Sequence, residues 1–340
     1  MRIWLEFLCC TIWLTLPHLG FAHHGFNAHY DEAYPILIEG IITEFQYINP
    51  HSFVHVEVTN NAGEKQIRWC EMQARSQMQA RGISENTLRV GDRIRIEGFQ
   101  ARRDPLGCEL STGYLADGTV LRLRTRNGQS IFSVPAQKDG SETIFDTWFR
   151  KSFPGAGTDP DPAEFFTITG AAADAANDPL ISNPAYRCSA ISPIRAWSHP
   201  GLPTQILDEG DRIIIRHEFM DAERVIYLDL DEHPTDVART EMGHSIGHYE
   251  DGVLVIHTSM FSEGMVRSDF VRTTNFELTE RVQINRDNGD LEVFWIATDP
   301  KYYKDILRGS RILIQTTLPM GRYDCMPGRG HGAQMDPNLG

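Results

Sequence analysis

The residues most able to do chemistry are histidines, and five of the 13 lie between residues 22 and 55: His23, His24, His29, His51 and His55. Imidazole is the commonest protein ligand for transition metals and titrates near neutral pH. Copper(II) binds nitrogen ligands more tightly than the other first-row divalent ions do. The cluster therefore predicts a metal site, with copper as the expected ion.

The position of His23 gives this cluster a specific chemistry. Arg2 supplies a positive charge, residues 3–16 supply the apolar core of a signal peptide, and Gly20-Phe21-Ala22 has the small-x-small pattern of its cleavage site. Cleavage after Ala22 would make His23 the first residue, so its amino group and ring could chelate one ion. A second histidine would complete a histidine brace. The sequence predicts a periplasmic or secreted protein, with no stable membrane insertion after cleavage.

Spacing selects the second histidine of the predicted site. In a strand that rises about 3.3 Å per residue, His51 and His55 lie about 13 Å apart, too far to bind one ion together. Alternation turns His55 away from the valine face of its strand, whereas His51 follows an Asn-Pro turn and can aim its ring more freely. We expect His51 to join His23, with His24, His29 and His55 as further candidates. The alternative is that these histidines only satisfy loops and caps.

A second polar group occurs later in the chain: Arg224, Tyr227, Asp229, His233, His244 and His248, with Glu250 and His257 nearby. Alternation places Tyr227 and Asp229 on one face of a strand. In a barrel that face could line a small-molecule pocket, although a solvated outer face is the more common arrangement. A periplasmic carrier or small-molecule enzyme using this pocket is the alternative to copper binding or delivery, and whether the protein is an enzyme stays open.

The stretch Gly243-His244-Ser245-Ile246-Gly247 has the Gly-x-Ser-x-Gly pattern of a hydrolase nucleophile elbow. That elbow needs an apolar strand before it and a helix after it. Charged residues precede this stretch and another predicted strand follows it. We therefore do not expect a serine hydrolase.

Composition sets the broad class of the protein. With 41% hydrophobic and 23% charged residues the chain is ordinary for a globular protein, and its formal net charge of −14 opposes nucleic-acid binding. A length of 340 residues favours two domains. The expected ligand is a metal ion or a small molecule, and the oligomeric state stays open.

Short β-rich segments separated by turn signals predict an all-β fold. Five or six strands with one helix at 71–81 predict a small oligomer-binding-type barrel over residues 23–126, after a signal peptide at 1–22. Residues 127–183 are expected to be a linker with a local helix at 142–149. Strands return over 184–325, which predicts a second antiparallel barrel or sandwich, and 326–340 is expected to be a flexible tail.

The cysteines provide a further constraint. Cys9 and Cys10 lie in the predicted signal peptide, which leaves four cysteines and three ways to pair them in an oxidising compartment. The economical pairing joins Cys70 to Cys108 within the first domain and Cys188 to Cys325 across the second. Their spacing matches no compact cysteine metal motif.

Three motifs resemble a family of uncharacterised exported bacterial proteins: Ala22-His23-His24-Gly25-Phe26, Asn49-Pro50-His51, and Leu88 to Asp92 before Ile94 to Gly98. The likeness covers about residues 22–124, and Gly25 stands where serine is common in that family. The second half is similar to a β-rich region that recurs in exported proteins. The resemblance implies the same domain boundaries and marks His23, His24 and His51 as distinctive positions, but it implies no activity.

Overall fold

The computed structural model describes residues 29–60, 62–125, 131, 140–150, 187–199, 201–267 and 270–327. Strands dominate these ranges, and only two short α-helices occur within them. The all-β prediction is therefore confirmed. The predicted signal peptide, with His23 and His24, lies outside the described residues, as do residues 151–183 of the predicted linker and 328–340 of the predicted tail.

The first half forms a small barrel from these elements: β1 (Tyr30–Gln46), β2 (Phe53–Thr59), β3 (Lys65–Glu71), α1 (Arg75–Gln79), β4 (Arg93–Ala101), β5 (Gly107–Leu115) and β6 (Val120–Arg122). Antiparallel pairs join β1 to β2 and β4, β2 to β3, and β4 to β5. A parallel pair between β3 and β5 closes the ring in the order 1-2-3-5-4. This ring, with its helix between β3 and β4, agrees with the predicted oligomer-binding-type barrel.

Strand alternation builds the core of this barrel. Val54 and Val56 are fully buried, whereas His55 is half-buried on the opposite face of β2, as the sequence pattern predicts. The predicted disulfide between Cys70 and Cys108 is confirmed, and it joins residues that lie opposite each other in the β3–β5 pair. The helix is shorter than expected because Glu71 pairs with Phe53 and so extends the strand β3.

The second half contributes further elements: β7 (Thr147–Arg150), α2 (Pro193–Ser198), β8 (Pro203–Asp208), β9 (Arg212–His217), β10 (Ala222–Tyr227), β11 (His244–Glu250), β12 (Val253–Ser259), β13 (Gly264–Arg267), β14 (Phe270–Arg272), β15 (Glu277–Ile284), β16 (Leu291–Thr298) and β17 (Leu307–Gln315). Nine of these described strands close a barrel, and β13 and β14 form a separate hairpin. The predicted second barrel is therefore present. One pair departs from an antiparallel arrangement: β10 and β11 run parallel, because the crossover segment 228–243 returns the chain to the same end of the barrel.

Local predictions in this half meet mixed outcomes. The helix expected over 142–149 is wrong: residues 142–146 are irregular, and Thr147–Arg150 is a strand that pairs with both β8 and β17 and buries Trp148. The hairpin turn at Asp251-Gly252 has positive φ at both residues, 51° and 83°, as its sequence predicts. No helix within the described ranges is long and apolar enough to cross a membrane.

The end of the chain returns to the first barrel. The predicted disulfide between Cys188 and Cys325 is confirmed, with a Cα–Cα distance of 5.6 Å. Cys325 forms a parallel bridge with Asn49, whose side-chain amide donates to the carbonyl of Tyr323. Arg75 donates to the carbonyl oxygens of Arg322 at 2.9 Å and Tyr323 at 2.8 Å. Residues before β2 and in α1 are therefore held by the last described segment of the chain.

Candidate functional site

The loop that carries His51 is fixed by hydrogen bonds on both sides. The Ser52 hydroxyl accepts from the backbone nitrogen of Ile48 at 3.1 Å and donates to its carbonyl at 3.0 Å. The backbone nitrogen of Ser52 donates to Gln73, and that of Met72 donates to Ser52, at 3.2 and 2.8 Å. The loop is thereby attached to the end of β3, where Glu71 lies.

His51 is paired with a buried carboxylate. Its Nδ1 lies 2.9 Å from Oε1 of Glu71, and the exposed fractions of the two side chains are 17% and 1%. The second carboxylate oxygen accepts from the hydroxyl of Tyr30 at the start of β1. A carboxylate on one ring nitrogen sets the orientation of an imidazole and favours one tautomer. Nε2 is consequently the nitrogen of His51 that would ligate a metal.

A second buried carboxylate lies beside the first. Glu109 is opposite Glu71 in the β3–β5 pair and forms an ion pair with Arg124. Burial raises the pKa of Glu109 to about 8, with Arg124 opposing the shift and Glu71 adding to it. Burial, and then the charge of Glu71, also raises the pKa of Tyr30 above its usual value. This end of the barrel therefore combines one half-buried imidazole with two buried carboxyl groups.

Sequence reasoning missed this polar group around His51. Glu71 and Glu109 each follow a cysteine of the predicted pair Cys70–Cys108. If those cysteines lie opposite each other in parallel strands, the residues after them must also lie opposite each other. The cysteine pairing was thus the signal that could have brought the two glutamates together.

The other histidines of the first cluster occupy separate places. Nδ1 of His55 lies 3.6 Å from the Glu44 carboxylate on the neighbouring strand, whereas His51 contacts Glu71. The carbonyl of His29 accepts from the backbone nitrogen of Arg102 at 2.9 Å. His23 and His24 lie outside the described residues. Within the described ranges, no group of three or more His, Cys, Asp or Glu side chains is arranged to hold one metal ion.

In the second barrel, Arg224 points inward. Its guanidinium contacts the Glu280 carboxylate at 2.6 Å and donates to the hydroxyls of Ser245 and Thr258. The indole nitrogen of Trp197 donates to the same carboxylate at 2.7 Å. Arg224 is buried with these partners, so strand alternation separates it from the other residues predicted with it.

Three histidines meet on the outer face of the same barrel. Nδ1 of His233 lies 2.8 Å from Nδ1 of His244, and Nε2 of His233 lies 2.8 Å from Nδ1 of His257. The ring of Tyr227 stacks on His244 with ring centroids 5.0 Å apart. Burial, followed by the charges of His257 and His244, lowers the pKa of His233 to about 4, and burial lowers that of His244. The neutral forms of His233 and His244 are therefore favoured.

The remaining predicted residues lie apart from this cluster. Asp229 is exposed, and His248 is exposed with its Nε2 3.0 Å from the Glu250 carboxylate. An open groove of about 690 Å³ at another place on the barrel is lined by residues of segments 141–145, 249–253 and 283–292. None of the six residues predicted for a C-terminal pocket lines that groove. Tyr227 and His244 instead lie on the outer face of the barrel, which was the second arrangement that the sequence allowed.

Comparison with curated proteins finds no match to this chain. Residues 13–108 match the family model described as "Family of unknown function (DUF6152)". That range contains His51, Glu71 and both cysteines of the first barrel, and ends before Glu109 and Arg124. The N-terminal part of the chain is thus similar to an uncharacterised family.

Proposed function

We propose that this chain is an exported metal-binding protein that binds or delivers copper through His51 and the histidines at its N-terminus. The observation that carries the proposal is the 2.9 Å contact between Nδ1 of His51 and the buried Glu71 carboxylate. Metal-ligating histidines almost always donate their other ring N–H to a carboxylate, a carbonyl or water. Glu71 would therefore be the group that orients the ligand His51.

The chemistry of the donors favours copper. His23 would supply an amino group and a ring nitrogen, and His51 would supply Nε2, so all donors are nitrogen atoms, which Cu(II) binds strongly. Export would agree with two disulfides, because such bonds persist in oxidising compartments. It would also generate the free amino group of His23 by cleavage after Ala22.

The test uses the mature protein purified from a periplasmic expression host. Intact-mass measurement should give a chain that begins at His23. Copper(II) affinity, measured by chelator competition, should fall at least tenfold in His51→Ala and in His23→Ala, since each removes a ligand. His248→Ala is the matched control, because it removes an exposed histidine whose ring contacts the exposed carboxylate of Glu250.

Two results would contradict different parts of the proposal. Equal copper affinity in wild type and His51→Ala would remove His51 from the site. A mature chain that begins elsewhere than His23 would eliminate the histidine brace, while leaving the pair of His51 and Glu71 to be tested by the affinity measurement alone.

A further inference from the structure

The outer face of β11 and β12 presents two histidines side by side. His244 lies opposite Ser259, and His257 lies opposite Ile246, so the two rings are diagonal neighbours in the antiparallel pair. The intervening residues Ser245 and Thr258 point into the barrel. His233 reaches this face from the crossover segment 228–243 and lies between the two strand histidines.

We propose that His233 and His244 form a second transition-metal site, of the Cu(II) or Ni(II) type, and that His257 positions His233. The site is separate from the one proposed at His51, and neither depends on the other. Two ligands come from different parts of the chain: His244 from a strand of the closed barrel and His233 from the crossover segment. A bound ion would therefore fasten that segment to the barrel wall.

The separation of the two nitrogens selects the coordination geometry. Nδ1 of His233 and Nδ1 of His244 are 2.8 Å apart. An ion about 2.0–2.1 Å from both nitrogens would make an N–metal–N angle of about 84–89°. Adjacent positions of a square-planar or tetragonal ion have this angle, which favours Cu(II) or Ni(II). A tetrahedral zinc ion would need the nitrogens about 3.3 Å apart.

The third histidine completes the arrangement from the other side. Nε2 of His233 lies 2.8 Å from Nδ1 of His257, so it can donate its proton there while Nδ1 of His233 ligates the ion. A metal-bound imidazole usually donates its other N–H to an acceptor, and here the acceptor would be a second imidazole. Tyr227 stacks on His244 with an interplanar angle of 10°, which holds the second ligand ring in place. The site thus has two protein ligands and open positions for water or another ligand.

The experiment measures Cu(II) binding in a full mature chain whose N-terminal site is removed by His23→Ala, His24→Ala and His51→Ala. This background should still bind one copper ion, with an electron paramagnetic resonance signal that shows coupling to imidazole nitrogens. Adding His233→Ala should weaken binding at least tenfold, and adding His248→Ala should leave it unchanged. Retention of full affinity after His233→Ala, or a background that binds no copper with nitrogen coupling, would overturn the proposal.

The role of His257 needs its own readout. His257→Leu should keep one copper ion but change the resonance parameters and weaken binding about 10–100-fold, the usual effect of losing such a partner. His257→Asn keeps an acceptor near the position of Nδ1 and should restore both properties. Equal binding and spectra for wild type and His257→Leu would overturn the positioning role. Thermal unfolding of every variant identifies any loss of binding that is due to misfolding. The resonance spectrum of the variant that lacks only His23, His24 and His51 tests the site while its own three histidines are intact.

Discussion

Acidification should destabilise the second barrel through His217. Burial, and then the charge of Arg224, lowers the pKa of His217 from 6.5 to about 3. Because the folded pKa lies below the unfolded one, the unfolded chain binds a proton that the folded chain does not between these pH values. The free energy of unfolding should therefore fall by about 2 kcal/mol between pH 7.5 and 5, and by about 4 kcal/mol between pH 7.5 and 3.

The surroundings of His217 explain why its charged form is excluded. The residue is 2% exposed in the interior, and its Nδ1 lies 2.8 Å from the Thr204 hydroxyl. The Trp197 ring packs edge-on against the imidazole at 4.9 Å. Nε2 is buried, and no hydrogen-bond partner for it occurs among the described residues. A second proton would place an unpaired charge in this interior.

Urea unfolding at pH 7.5 and pH 5, followed by circular dichroism, measures the effect. His217→Asn cannot titrate in this range, so the loss of stability between the two pH values should be about 2 kcal/mol smaller than in wild type. His248→Asn, which changes an exposed histidine, should keep the wild-type loss because exposed ion pairs contribute little. The same loss in wild type and His217→Asn would refute the reasoning.

Three further outcomes are expected. Glu71→Gln should weaken copper binding about 10–100-fold in chelator competition, since it removes the carboxylate behind His51; unchanged affinity would exclude its orienting role. Arg224→Ala should lower the free energy of unfolding by about 3–5 kcal/mol in urea, because Glu280 would stay buried without its partner; a loss below 1 kcal/mol would contradict this. Cys325→Ser should cost about 4–5 kcal/mol, since the disulfide spans 137 residues; an unchanged urea midpoint would contradict that.

The parts of the fold that depend on local patterns could be predicted from the sequence. The valine alternation in β2 and the Asp251-Gly252 turn depend on residues close together in the chain, and the structure shows both as expected. Trp148 was misplaced in a helix because its strand is defined by pairing with Gln315 and Thr204, which are distant in sequence. Local helix propensity carries no information about such partners.

The candidate sites show the same limit. The sequence alone identified His51, His233 and His244 as candidates, since histidine type and clustering are visible in it. It could not pair His51 with Glu71, which requires the register of β2 against β3. It also could not place His257 behind His233, which requires both the β11–β12 register and the course of the crossover segment. Strand register fixes which side chains meet, and it is set by the whole sheet.

The contact between Asn49 and the end of the chain has a consequence for the order of assembly. The amide of Asn49 binds the carbonyl of Tyr323, a residue 274 positions later, and Cys325 bridges to the same asparagine. During synthesis the first barrel emerges long before this segment does. The contact of Asn49 with Tyr323, which supports the loop that carries His51, can therefore form only after the second barrel has been synthesised. The proposed copper site would then be completed last.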